Sequence, residues 1–239
     1  MKAALLPGQA AAPAGPADLT MMYVLHHGFR RDLARFVVAA RRTPLTDLPT
    51  WAALLERWDL FALLLHDHHH KEDEYVWPLL RAAVDGAGDA AGAEVLDAME
   101  AEHATIDPLL ESVRATLERL SQATDAGARD TLEGLLVSTQ KVLDHHLGHE
   151  ERDAIALLQR YVTADDWAEL ERTRLRGGLG PGDLLRLLPW SVQDLPGPVA
   201  ADLLTEAGLP FRLMLRLGRR RFERLDDAAF AHVPAGVGP

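Results

Sequence analysis

The chain has 239 residues, 48% hydrophobic and 26% charged, with 25 Lys+Arg against 36 Asp+Glu and a formal net charge of −11. That length suffices for one large domain, or a domain plus an extension, with a sizeable core. The composition excludes global disorder, no apolar run approaches the roughly 20 residues needed to span a bilayer, and the acidic balance argues against nucleic acid as a partner. Cysteine is absent, which excludes disulfides, thiolate zinc sites, cysteine-ligated iron–sulfur clusters and a cysteine nucleophile. Any metal here must be held by nitrogen and oxygen.

The N-terminal residues MKAALLPGQAAAPAGPA carry one Lys, and their apolar run stops at Pro7, short of a secretory h-region. Residues 1–16 read as a disordered leader, and the protein as cytoplasmic with no membrane contact. Four long helical segments follow, from about Ala17 to Arg42, Thr50 to Val84, Asp89 to Ala123, and Gly127 to Val162. Thr43-Pro44 stops the first and Gly86-Ala87-Gly88 the second. Short connections between long helices predict antiparallel neighbours. The expected fold is all-α, an up-down-up-down four-helix bundle over 17–162 with a C-terminal helical extension over 163–239.

In the extension, a helix from Asp165 to Arg176 precedes a Gly-rich run, then shorter pieces are broken by Pro189, Pro196, Pro198 and Pro210, with a loose tail from Val233. Residues 163–239 carry net −1, leaving −10 on residues 1–162. The extension is expected to pack over one end of the bundle. Its basic stretch Phe211 to Arg221 reads as Arg pairing with the acidic bundle, with Phe211, Leu213 and Leu217 as packing.

Ten of the eleven histidines fall in the four long helices. The second helix has an apolar stripe Leu54, Trp58, Phe61, Leu65, His68, Glu72, Leu79, so His68 and Glu72 interrupt it on one face, one turn apart. The fourth repeats this with Leu132, Leu136, Val142, His146, Glu150, Ala154, Leu157. The third reads Leu96, Met99, His103, Ile106, Leu110, Val113, Leu117, and the first Leu19, Met22, His26, Phe29, Leu33, Phe36. His26 and His103 are 77 residues apart, and His68 and His146 are 78 apart. The two halves therefore read as one helix pair used twice about a pseudo-two-fold axis.

Burying a lone carboxylate or imidazole in a helical core is costly without a partner. Four inward His and two inward Glu share one solution, a bound cation pair bridged by the carboxylates. Imidazole and carboxylate without thiolate suit iron or manganese, and less strictly zinc, copper or nickel. Two Glu leave positive charge on a divalent pair, so an oxo or hydroxo bridge is expected, with coordination positions left for a small molecule. His66, His70 and His145 read as a solvated face, and His232 as incidental. Pro78 and Pro108, late in their helices, each remove one backbone hydrogen bond and read as kinks.

The motifs His26-His27 with Arg30-Arg31-Asp32, His68-His69-His70-Lys71-Glu72 leading to Trp77-Pro78, Glu102-His103, and His146-x-x-x-Glu150-Glu151 resemble the hemerythrin-like, HHE cation-binding family over about residues 18–160. The resemblance implies a four-helix bundle around a non-haem diiron centre that meets O₂, peroxide or NO. By position its ligands would be His26, His68, Glu72, His103, His146 and Glu150. Two departures stand out: oxygen-carrying hemerythrins place two His one turn apart on the third helix, where this chain has Met99 before His103, and they end with His-x4-Asp, where this chain has His-x3-Glu. Water, His27, His69, His149 or Tyr23 are the candidates for the missing donor or for its support. The function implied is binding and reduction of O₂, H₂O₂ or NO; a non-catalytic sensor or storage protein, and a diiron oxygenase with an organic substrate, are the alternatives.

Overall fold

The structure, a computed structural model, describes residues 5–175, 177, 180–206 and 208–238. Among them the regular elements are all helical, and no helix is long and apolar enough to cross a membrane. Residues 1–4 of the expected leader, Arg176 and Gly178 lie outside the described residues.

Helix α1 (Thr20–Arg42) ends at Thr43, whose extended backbone is what the following Pro44 demands. Helix α2 (Leu48–Lys71) starts under Asp47, whose side chain accepts the Thr50 N–H. It runs through a π-helical turn, Glu72–Val76, into α3 (Trp77–Ala87), which stops at Gly88 in the left-handed conformation. Helix α4 (Ala90–Gln122) is capped by Asp89 and continues unbroken across Pro108. Asp125 caps α5 (Ala126–His149), which passes through a second π turn, Glu150–Ala154, into α6 (Ile155–Tyr161). Helix α2 packs on α4, α4 on α5, and α5 on α1. Pro78 sits in the first turn of α3, where the resumed helix tolerates a missing N–H.

Both π turns begin at the Glu of a His-x3-Glu motif. The Trp77 N–H reaches the Glu72 carbonyl and the Ile155 N–H the Glu150 carbonyl, five residues back. The extra residue in the turn rotates the helix beyond it. It corrects two stripe positions: Leu79 is 37% exposed and Leu80 takes the core place, while Leu158 is buried and Leu157 only half so. In α5, likewise, Leu143 is the core residue and Val142 lies at its edge.

The core has two apolar clusters. One holds Phe29, Leu65, Ile106 and Leu147; the other holds Met22, Val76, Met99 and Ala154. His26, His68, Glu72, His103, His146 and Glu150 fall between these in every helix, which fixes them at one depth.

The leader is ordered over residues 5–16, contrary to the sequence reading. Leu6 is buried with Val24, Leu195 and Leu203. The Ala10 N–H donates to Glu151 at 2.6 Å, and Gln159 exchanges hydrogen bonds of 2.9 and 2.8 Å with Ala17. Backbone polar groups satisfied by the bundle hold the segment down where its composition alone does not.

Helices α7 (Ala164–Leu170), α8 (Pro181–Val192), α9 (Gly197–Glu206) and α10 (Gly208–Ala229) form the extension, with a further π turn after α7. Helices α8 and α10 lie along the flank of α1 and α2, while Trp167 of α7 packs at the end where α1 begins, its Nε1 donating to the Asp18 carbonyl at 2.8 Å. Trp190 stands where a Cβ on Gly28 would come within 2.7 Å of its ring, so Gly28 is what admits it. Its Nε1 donates to Asp32 at 2.6 Å. Asp32 also takes Arg31 at 2.8 Å and Arg57 at 2.7 Å, and Asp226 of α10 joins Arg57, Arg35 and Gln193. This buried network, rather than surface pairing of the basic stretch, is what fastens α10. Leu213 and Leu217, expected as packing, are 60% and 65% exposed. His232, expected to be incidental, lies 2.8 Å from Asp47, the cap of α2.

Two measurements test this packing. Leu80→Ala should destabilise the protein by about 2–5 kcal/mol in urea unfolding and Leu79→Ala by well under that, the reverse of the unshifted stripe. Burial works to raise the Asp32 carboxyl, but Arg31 and Arg57 outweigh it and hold it below its ordinary value. Its contribution is therefore present above about pH 4 and lost as pH falls through the lowered value. Asp32→Asn should cost about 3–5 kcal/mol at neutral pH, because it takes the carboxylate from buried Arg31 and leaves buried Arg57 with Asp226 alone, and should flatten the acid limb of the stability profile.

Candidate metal centre

Helices α1, α2, α4 and α5 each direct histidine into the layer between the two apolar clusters. His26, His68, Glu72, His103, His146 and Glu150 are all buried there, and they come together. Their donor atoms form two groups, each within 4.8 Å throughout. One is His26, His68, Glu72 and Glu150; the other is His69, Glu72, His103 and His146. The first joins α1, the α2 rod and, through Glu150, the turn that follows α5, and the second brings the α2 rod against α4 and α5.

Only Glu72 belongs to both groups. One of its oxygens lies 3.1 Å from His68 Nε2 and the other 3.5 Å from His103 Nε2. Glu150 lies in the first group alone, 3.1 Å from His26 Nε2. Among the four extra candidates, His69 joins the cluster, stacked on His103 at 4.1 Å. His149 instead donates to Glu102 at 2.8 Å, His27 lies under the Pro7 carbonyl at 3.5 Å, and Tyr23 belongs to neither group. His66, His70 and His145 are exposed. His69 was legible on a wider stripe: it is four residues after Leu65 and three before Glu72, the second inward column of a helix packed on two neighbours.

Three imidazoles are oriented by carboxylates. His26 Nδ1 lies 2.9 Å from Glu151, His103 Nδ1 2.8 Å from Asp73, and His146 Nδ1 2.9 Å from Glu102. A carboxylate accepts, so each Nδ1 carries a proton and each ring turns its Nε2 inward. Glu151 is itself held by Arg30 at 2.6 Å. The inward nitrogens then meet head-on: His26 and His68 Nε2 are 3.2 Å apart, as are those of His103 and His146. Lone pairs at that distance need a proton or a cation between them.

The charges agree. Burial disfavours protonation of His26, but Glu150 and Glu151 outweigh it and raise its pKa to about 9. Burial likewise pushes Glu150 up, and His26 brings it down to about 2. Glu72 is driven well above the carboxylate range by burial and by Glu150, while His68 and His69 are driven well below the usual His value, chiefly by burial. Tyr23 is raised to about 12 by burial, Glu151 and Glu150. Without a cation the cluster thus holds one ion pair and several neutral donors. Both oxygens of Glu72, both of Glu150 and both nitrogens of His69 lack a hydrogen-bond partner, a combination rare for buried polar groups. Nitrogen and oxygen donors fully desolvated and unpartnered, in two groups sharing one carboxylate, fit metal cations.

The family model for the hemerythrin HHE cation binding domain matches residues 12–158. The chain belongs to that family. The matched span holds every member of both donor groups, together with Glu102, Asp73 and Glu151, whereas the extension lies beyond it. Comparison with curated proteins and with solved structures gives no match. In this hemerythrin-family chain Met99 lies one turn before His103 on the third long helix, and His69 of the second stacks on His103.

Removing an orienting carboxylate should weaken cation binding without unfolding the protein. Glu102, partly exposed, is the suitable one. Glu102→Ala should raise the cation dissociation constant about 10–100-fold in a chelator competition, with helicity by circular dichroism unchanged.

Proposed function

We propose that this protein holds two iron ions within an up-down-up-down four-helix bundle in the cytoplasm and binds and reduces O₂, peroxide or NO there. The observation that carries the reading is Glu72: a buried carboxylate with both oxygens unpartnered, each facing a different His of a different donor group. Such a group bridges two cations more readily than it serves one.

Iron bound there would supply a one-electron couple at each position and coordination sites left open by the protein. The side chains do the rest. His26 and Glu150, with His68, close the first position, and His69, His103 and His146 the second, with Glu72 common to both. Glu151, Asp73 and Glu102 fix the ring orientations and offset positive charge. Phe29, 5.5 Å from the His68 ring, and the two apolar clusters keep bulk water from the donors. Reduction of peroxide or oxygen to water consumes protons. Glu102 and His149, hydrogen-bonded at 2.8 Å and each partly exposed, link His146 Nδ1 to solvent and can pass them inward.

The test is elemental analysis with optical spectra before and after dithionite and air. The parent should hold two irons per chain, with near-ultraviolet absorption that bleaches on reduction and returns on reoxidation. Glu150→Ala should keep about one ion and Glu72→Ala fewer. Unchanged metal content in both Glu150→Ala and His68→Ala would overturn the assignment, and steady peroxide or oxygen consumption by the loaded protein would separate reduction from sensing.

A further inference from the structure

A cavity of about 530 Å³ opens between α1, α2 and the extension. Its walls are apolar, from Met21, Leu25 and Leu64 on the bundle side and Leu187, Leu203 and Phe211 on the extension side. Two of the buried donors, His68 and Glu72, are among its lining residues. His69, His103, His146, His26 and Glu150 do not line it, so the cavity reaches the first donor group through His68 and the shared carboxylate, and the second group only through Glu72.

A diatomic gas or peroxide needs nothing of this size, whereas clefts of about 300–1,000 Å³ with apolar walls and a few polar groups at one end take organic molecules. Lys71, the ammonium in the lining, is paired with Asp67 at 2.6 Å. A charged ligand would lose its hydration against Leu and Phe side chains. The extension side of the wall comes from residues beyond the family-matched span, so this chamber is a product of this chain's own C-terminal third.

We propose that this cavity is a binding site for an uncharged, mainly apolar organic molecule, which comes to rest against His68 and Glu72 beside the first cation position only. The cavity itself stands without any metal; its placement beside one cation rests on the two-iron reading of the donor groups.

The experiment uses the full chain in two states. Chelator-treated protein is titrated with the neutral fluorophore Nile red. Saturable binding at one site per chain is expected, with blue-shifted emission. Leu25→Trp and Leu187→Trp, which fill the chamber from opposite walls, should weaken it at least tenfold, while Leu213→Trp on the exposed face of α10 should not. Decanol should displace the dye and decanoate should not at equal concentration. Circular dichroism checks that each variant keeps its helices. Protein loaded with Co²⁺ then reports position: decanol should shift its visible bands in the parent and not in Leu25→Trp. Equal dye affinity in the parent and both filled variants would overturn the site, equal displacement by decanoate would overturn the ligand class, and Co²⁺ bands indifferent to decanol would overturn the placement. Because the dye titration needs no metal, a chain that binds no iron would still reveal whether the cavity takes a ligand, and an iron-loaded chain that ignores the dye would refute the cavity alone.

Discussion

The constraint that governs this molecule is a layer of nitrogen and oxygen donors buried in the middle of an apolar core. Desolvating a carboxylate costs several kcal/mol unless something of opposite charge stands against it. Here two carboxylates and five imidazoles share that problem at one depth. The apolar clusters on either side cannot solve it, and they force the donors to solve it among themselves. A proton shared between His26 and Glu150 is a partial answer. It leaves both oxygens of Glu72 and both nitrogens of His69 without a hydrogen-bond partner, so the arrangement is more costly to hold without cations than with them.

Much of this was legible in the sequence because helical periodicity carries it. Donors that replace Leu or Met in a stripe of three- and four-residue spacings must face where the Leu would have faced, and the helix starts read at Thr50, Asp89 and Gly127 fell within a few residues of Leu48, Ala90 and Ala126. What was hidden needed information that spacing does not contain. The π turns change the helical repeat for a single turn, so a stripe extrapolated through Glu72 arrives one residue early at Leu79. His69 was hidden for a related reason: a single seam admits one column of residues, whereas α2 packs on neighbours to both sides and turns a second column inward. The order of the leader was hidden because its partners, Glu151 and Gln159, lie some 140 residues away.

The extension is joined to this centre by a short relay of packed groups. Asp32 gathers Arg31, Arg57 and the Trp190 indole. Trp190 stacks 5.2 Å from Phe29, which in turn lies against His68. Two positions make this approach close: Gly28 under Trp190, and Gly218, where any Cβ would strike the Leu185 carbonyl at 1.8 Å. The segment beyond the family-matched span is therefore fastened through buried charge to the bundle at the level of its histidines.

The leader has a consequence for the order of events on the ribosome. Ala10 emerges first, yet the carboxylate it holds, Glu151, is made about 140 residues later. At roughly 5–20 residues per second the chain spends several seconds with its N-terminal strap undocked. Residues 5–16 therefore cannot take up these bonds until the donors of all four long helices, Glu150 included, have been made.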